Sequence, residues 1–168
     1  MMRNRKGFTL VEIMIVVAII ALLAAVAIPN LLRSRLNANE TAAIGACKTV
    51  CSAMESWAAA HSGDYANGGA LTTLAILGAA TPPYIDSVLA GGTKQGYTFL
   101  LTCRAAAADG KSHQYDCSAT PIAYQVTGVR SFVVDESGVI WGLDNNGAAI
   151  APGVNVPAAP KVLGNVVE

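Results

Sequence analysis

From Phe8 to Ile28 the chain holds 21 consecutive residues with a single charge, Glu12, and a single hydroxyl, Thr9. About 20 apolar residues cross a bilayer as a helix, so the run predicts one membrane-length helix that is apolar on every face. No cluster of breakers ends it. After Pro29 the sequence NLLRSRLNANETAAIGACKTVCSAMESWAAAHSGDY stays helix-compatible as far as Gly63. Ile44, Cys47, Cys51, Met54 and Ala58 recur at three- and four-residue spacing and mark a buried stripe, with Lys48, Ser52 and Glu55 on the other side. If helical from Phe8 to His61, the segment measures roughly 80 Å, more than twice what a membrane needs. Pro29 removes one backbone hydrogen bond and predicts a kink near the membrane exit. The stripe is expected to pack on the chain's own sheet, and Arg33 and Arg35 fall at solvated positions just past the apolar run.

Beyond Gly63 the period changes. Gly68-Gly69, Pro82-Pro83 and Gly91-Gly92 punctuate a loop-rich stretch with room for a short helical turn around Leu71–Leu77. Three alternating elements follow. Tyr97, Phe99, Leu101 and Cys103 predict one strand, Ile122, Tyr124 and Val126 a second. Ser131–Asp135 and Val139–Trp141 predict a hairpin about a Glu136-Ser137-Gly138 turn. Consecutive strands joined by turns favour an antiparallel sheet, and a helix packed on one is an α+β arrangement. The expected organisation is a leader at 1–7, an apolar helix at 8–32, its continuation at 33–62 and a small α+β head at 63–168. The final stretch, 144–168, contains three prolines and is expected to be extended or a loose extra strand.

Composition sharpens this division. The 168 residues are 53% apolar and 13% charged, with 11 basic and 11 acidic side chains and a mean hydropathy of +0.45. Such a chain is not intrinsically disordered, and its zero net charge removes the electrostatic case for binding nucleic acid. Residues 41–168 alone carry six basic and nine acidic side chains, a net of −3, as an ordinary globular segment would. The high hydropathy belongs to one end.

Three readings compete for that end, which opens MMRNRKG with Arg3, Arg5 and Lys6. It suits a secretory signal peptide cleaved at Ala25-Val26-Ala27, which would release a soluble binding domain beginning at Ile28. It suits a plain signal anchor with its basic end in the cytoplasm. It also suits a cut after Gly7 on the cytoplasmic side that keeps the helix. Glu12 discriminates among them, because a carboxylate at the bilayer centre costs on the order of 2.5–3.5 kcal/mol, less nearer the interface. Neither a signal peptide nor a simple anchor uses that carboxylate. A cut after Gly7 does, since Phe8 then exposes a cationic amine four residues before Glu12.

Lys6-Gly7-Phe8-Thr9-Leu10-Val11-Glu12, with its short basic leader, its apolar helix and Pro29, resembles the N-terminus of type IV pilins and type II secretion pseudopilins. The resemblance implies a pilin-like fold, cleavage between Gly7 and Phe8 by a prepilin peptidase, and N-methylation of Phe8. It implies that Glu12 pairs with the Phe8 amine of an adjacent subunit as the chain polymerises into a helical homo-oligomeric filament. The chain is then held in the bacterial inner membrane, N-terminus inside, until inner-membrane assembly machinery moves it into a periplasmic or extracellular filament. More weakly, GYTFLL and VRSFVVDESGVIWG resemble the C-terminal part of small pseudopilins. Major pilin, minor pilin and secretion pseudopilin share this chemistry and stay open.

Chemistry elsewhere is sparse. Cys47, Cys51, Cys103 and Cys117 form an even set suited to disulfides in an extracytoplasmic domain. A bridge from Cys103 to Cys117 across a hairpin is the leading pair. Cys47 and Cys51 lie one helical turn apart with parallel Cβ directions, which strains a bridge between them. Reduced core residues, or a tie from helix to sheet, are the other readings. The thiol spacing does not suit zinc, so no metal is expected. His61 and His113 are isolated, and Asp144-Asn145-Asn146-Gly147 lacks the downstream glutamate of a calcium loop and reads as a turn. With no catalytic motif present, neither enzymatic activity nor a cofactor is expected.

Overall fold

The computed structural model describes residues 7–65, 74–104, 107–109 and 111–150. Residues 1–6 of the expected leader, Gly68-Gly69, the start of the Leu71–Leu77 turn and most of the final stretch lie outside them. The chain divides into two compact units between Arg35 and Leu36.

Helix α1 spans Leu10–Ala60, within two residues of the expected limits. As far as Arg35 its aliphatic side chains are exposed, Leu22 and Leu23 among them. Pro29 lies inside the helix. Its missing N–H leaves the Ala25 carbonyl without its usual donor. At the other end the backbone of Ser62 and Gly63 turns left-handed, at φ 58° and 82°, and the Gly63 N–H closes the helix on the Ala58 carbonyl at 2.8 Å.

In the second unit α1 covers a five-stranded antiparallel meander ordered β1-β2-β3-β4-β5: Thr93–Lys94, Tyr97–Cys103, Tyr115–Pro121, Arg130–Asp135 and Ile140–Asp144. Short helices α2, Leu74–Ala79, and α3, Ser87–Ala90, precede it. The fold is α+β and pilin-like, as expected. Ala43, Ile44, Cys47, Val50, Met54 and Trp57 on α1 share one core with Tyr97, Phe99 and Leu101 on β2 and Phe132 and Val134 on β4. The buried stripe is wider than its five marker residues, because Val50, Ala53 and Trp57 join it while Cys51 stays partly exposed.

One strand assignment needs correction. The strand expected at Ile122–Val126 is a turn: Val126 and Thr127 both donate to the Ala123 carbonyl, at 3.1 and 2.9 Å, and Gln125 is left-handed at φ 61°. Ile122 and Val126 alternate, but both stand exposed rather than in the core. The strand actually lies just upstream, as β3, pairing Tyr97 with Pro121 through to Cys103 with Tyr115. Its inward side chains are Tyr115, Cys117 and Ala119, too small in total to stand out beside Ile and Val. The β4–β5 hairpin falls where expected, with Gly138 left-handed in its turn at φ 74°.

The turn at 123–127 is tied to α1 by polar groups. Asn39 Nδ2 donates to the Thr127 carbonyl at 2.9 Å. The Glu40 carboxylate accepts from the Val129 and Arg130 backbone N–H groups at 3.0 and 3.2 Å, and from Arg130 Nε at 2.9 Å. Gly128 between them has no room for a side chain. A Cβ there would lie 2.0 Å from the Tyr97 hydroxyl, which is fully buried and donates to the Arg130 carbonyl at 2.9 Å. That bond stops the ring from swinging aside. Gly128→Ala is therefore expected to destabilise this unit by about 1–3 kcal/mol, the cost of overpacking a closed core. A denaturant midpoint unchanged from wild type would contradict it.

Candidate assembly site at the helix start

Gly7, Phe8, Thr9 and Glu12 occupy the first turn and its approach. Thr9 is the residue before the helix and Glu12 the third residue within it. The Glu12 N–H donates to Thr9 Oγ1 at 3.3 Å, while Glu12 Oε2 accepts from both the Thr9 N–H and its hydroxyl at 2.8 Å. This is a capping box, in which a Thr and a Glu three residues apart satisfy each other's backbone donors. The pattern Thr-x-x-Glu is legible in the sequence, though the charge on Glu12 draws the reading towards an amine alone.

The box changes the meaning of the carboxylate. It gives Glu12 a structural use that a simple anchor could share, so its presence in an apolar run no longer points only to an outside cation. It also fixes where the carboxylate sits. Turned back to cap the helix, it lies beside the positive end of the helix dipole. Both bonds go to Oε2, so among the described residues Oε1 remains the oxygen available to an ammonium group. Phe8 stands 84% exposed next to it, and among the described residues no atom lies within 4 Å of where a Gly7 Cβ would sit.

The cysteines do not arrange themselves as expected. All four are free, and the β2–β3 register sets Cys103 opposite Tyr115 and Cys117 opposite Leu101. Cys103 and Cys117 are thus a diagonal pair, which in antiparallel sheets lies about 7–8 Å apart, beyond direct opposition. Cys103 Sγ instead meets the Tyr65 carbonyl at 3.5 Å, and burial, with Asp64 and Asp116 nearby, pushes its thiol up to about 11. His61 stacks on Trp57 with ring centroids 4.1 Å apart, and His113 pairs with Asp109 at 2.7 Å. Asp144–Gly147 forms a turn, its Asp144 carboxylate accepting from the Asn146 N–H at 3.2 Å. Among the described residues no three His, Cys, Asp or Glu side chains gather as a metal site.

A helix long and apolar enough to cross a membrane, started by a Thr–Glu box after a Gly–Phe junction, and a helix-on-meander unit together define the class of prepilin-type filament subunits. The family described as the prokaryotic N-terminal methylation motif matches residues 2–28. The chain is 36% identical over 99 residues to the type IV wide pilus major component PilA4 of Thermus thermophilus, an alignment covering 59% of this chain and 74% of that one. It is 47% identical over 55 residues to the type IV major pilin protein PilA of Myxococcus xanthus, covering 33% of this chain and 24% of the relative. No solved structure matches it. The chain belongs to the type IV pilin family, whose members are structural proteins and not enzymes.

Proposed function

We propose that this chain is a structural subunit of a type IV pilus, stored in the bacterial inner membrane as a single-pass prepilin and drawn from it into a filament. The observation that carries the reading is the Glu12 carboxylate, held at the helix start with one oxygen spent on the cap. A prepilin peptidase cuts between Gly7 and Phe8 and methylates the new amine. Glu12 then meets the Phe8 ammonium of an adjacent subunit. The N-terminal half of the helix is apolar on every face, so it passes from lipid to a bundle of its own copies without meeting water. Arg3, Arg5 and Lys6 hold the N-terminus in the cytoplasm before the cut, and inner-membrane assembly machinery lifts the cut chain out. Removing the leader takes away three positive charges and leaves a mature chain of net −3.

Both relatives are pilins, which favours a pilus over a secretion pseudopilus. The test is the mass of the N-terminal peptide of chain recovered from membranes and from sheared filaments. A methylated Phe8 at the start is the expected result in both fractions. A chain beginning at Ile28 overturns the proposal, because that cut discards the polymerising helix.

A further inference from the structure

The turn at 123–127 turns apolar side chains outwards. Ile122 is 60% exposed and Val126 72%, more than any other large aliphatic residue described in the second unit. From Pro121 to Val129 the sequence PIAYQVTGV carries no charge. Hydrogen bonds fix its shape. The Ile122 N–H donates to the Gly96 carbonyl at 3.0 Å, the Ala123 N–H to Thr127 Oγ1 at 3.0 Å and the Gln125 N–H to the Gly128 carbonyl at 2.9 Å. The two tips are therefore held away from the core. Charged groups beside the turn are engaged within the unit: Arg130 bonds to Glu40, and Asp144 accepts from the Tyr124 hydroxyl at 3.1 Å. What remains facing outwards is an uncharged aliphatic knob with a half-buried tyrosine at its side.

Asn39 and Glu40 of α1 carry this knob, through the Thr127 carbonyl and the Val129 and Arg130 N–H groups. Asn39 follows Arg35 by four residues, about 6 Å of helix. Arg33 and Arg35 are exposed directly after the membrane-length run, where basic side chains reach lipid phosphates. The headgroup layer on each side of a bilayer is itself about 5–7 Å thick. The tether of the turn is therefore within reach of the lipid surface.

We infer that this turn is a lipid contact: in the membrane-stored chain Ile122 and Val126 enter the headgroup–acyl boundary of the outer leaflet, with Tyr124 at headgroup level. Tyrosine suits that position, with an apolar ring and a wet hydroxyl. This contact rests on the proposed membrane storage and adds a second, peripheral hold on lipid to that of α1. A lipid surface suits the knob better than a protein groove. The two aliphatic side chains lie on either side of the turn with the exposed, polar Gln125 between them, and a fluid interface takes them without a matching cavity. The contact belongs to the stored chain and is given up when the subunit leaves for the filament.

Full-length chain is reconstituted singly in nanodiscs of phosphatidylethanolamine and phosphatidylglycerol, with ordinary or acyl-brominated lipid. Val126→Trp adds a fluorophore at one tip, and the emission of wild type, from Trp57 and Trp141, is subtracted. The added emission should fall by about half in brominated lipid, as for a side chain about 5–10 Å into the headgroup–acyl boundary. Ile122→Trp repeats the measurement from the other side of the turn, and each variant is used with a urea midpoint equal to wild type. Ser137→Trp, in the turn at the opposite end of β4, should emit equally in both lipids. Equal emission of Val126→Trp and Ile122→Trp in the two lipids overturns the contact. So does shielding of these probes that appears only when several chains share a disc, which makes the turn an interface between copies. Failure of membrane storage reads differently: cells then yield a chain beginning at Ile28, whereas the disc supplies lipid and helix together whatever the cell does.

Discussion

Glu12→Gln is expected to reach the membrane in normal amounts and to lower filament yield by about a hundredfold. Glutamine at this position keeps the capping box, since its amide oxygen accepts from the Thr9 N–H and hydroxyl as Oε2 does now at 2.8 Å. What it loses is the charge. In a dry helical bundle the Phe8 ammonium of the neighbour would then be buried without a counter-ion, and breaking a buried pair from one side costs about 3–5 kcal/mol. Each added subunit meets that cost again. The partner experiment is Thr9→Ala, which spares the charge and breaks the box; a lost N-cap costs about 0.5–2 kcal/mol, so a weaker and partial defect is expected. The two roles of Glu12 therefore predict opposite orders. If the carboxylate serves only as a cap, Glu12→Gln assembles like wild type and Thr9→Ala fails. Glu12→Ala removes both functions and fails under either, so alone it distinguishes nothing.

The box also shows what a sequence displays and what it hides. Features written within one helical turn or one hairpin are readable: the unbroken run after Phe8, the stripe from Ile44 to Ala58, the alternation from Tyr97 to Cys103, and the β4–β5 hairpin. The capping box is equally local, but the expense of a charge in lipid overshadows it. Strand β3 escapes for a different reason. Its alternation is regular, Tyr115, Cys117 and Ala119 inward against Asp116, Ser118 and Thr120, yet it offers little aliphatic bulk. The branched residues just after it, Ile122 and Val126, belong to a turn set by hydrogen bonds to Ala123. Hydrophobic alternation locates strands only where the inward residues are large. Cysteine pairing depends on register, and a two-residue offset sets Cys117 opposite Leu101 and Cys103 opposite Tyr115.

Glu40 is out of reach altogether, because its partners lie about 90 residues away. It gives the second large prediction: Glu40→Ala destabilises the helix-and-sheet unit by about 3 kcal/mol. The carboxylate is only 8% exposed and receives three donors, two of them backbone N–H groups from Val129 and Arg130. Those two N–H groups lie just before and at the start of β4, and alanine leaves both without the Glu40 acceptor. Arg130→Ala is expected to cost about 1 kcal/mol, since its guanidinium is a third exposed and the backbone donors keep Glu40 satisfied. Glu40→Gln falls between, retaining a carbonyl oxygen for the backbone pair but setting an amide against the guanidinium. Lost stability is read from urea unfolding of the full chain in detergent. A loss greatest for Glu40→Ala, smaller for Glu40→Gln and smallest for Arg130→Ala separates backbone anchoring from charge pairing. Equal losses for Glu40→Ala and Arg130→Ala would instead make the ion pair the anchor. Because the same carboxylate holds the chain just after the 123–127 turn, Glu40→Ala should also raise the protease sensitivity of that turn, where Ile122 and Val126 are already exposed.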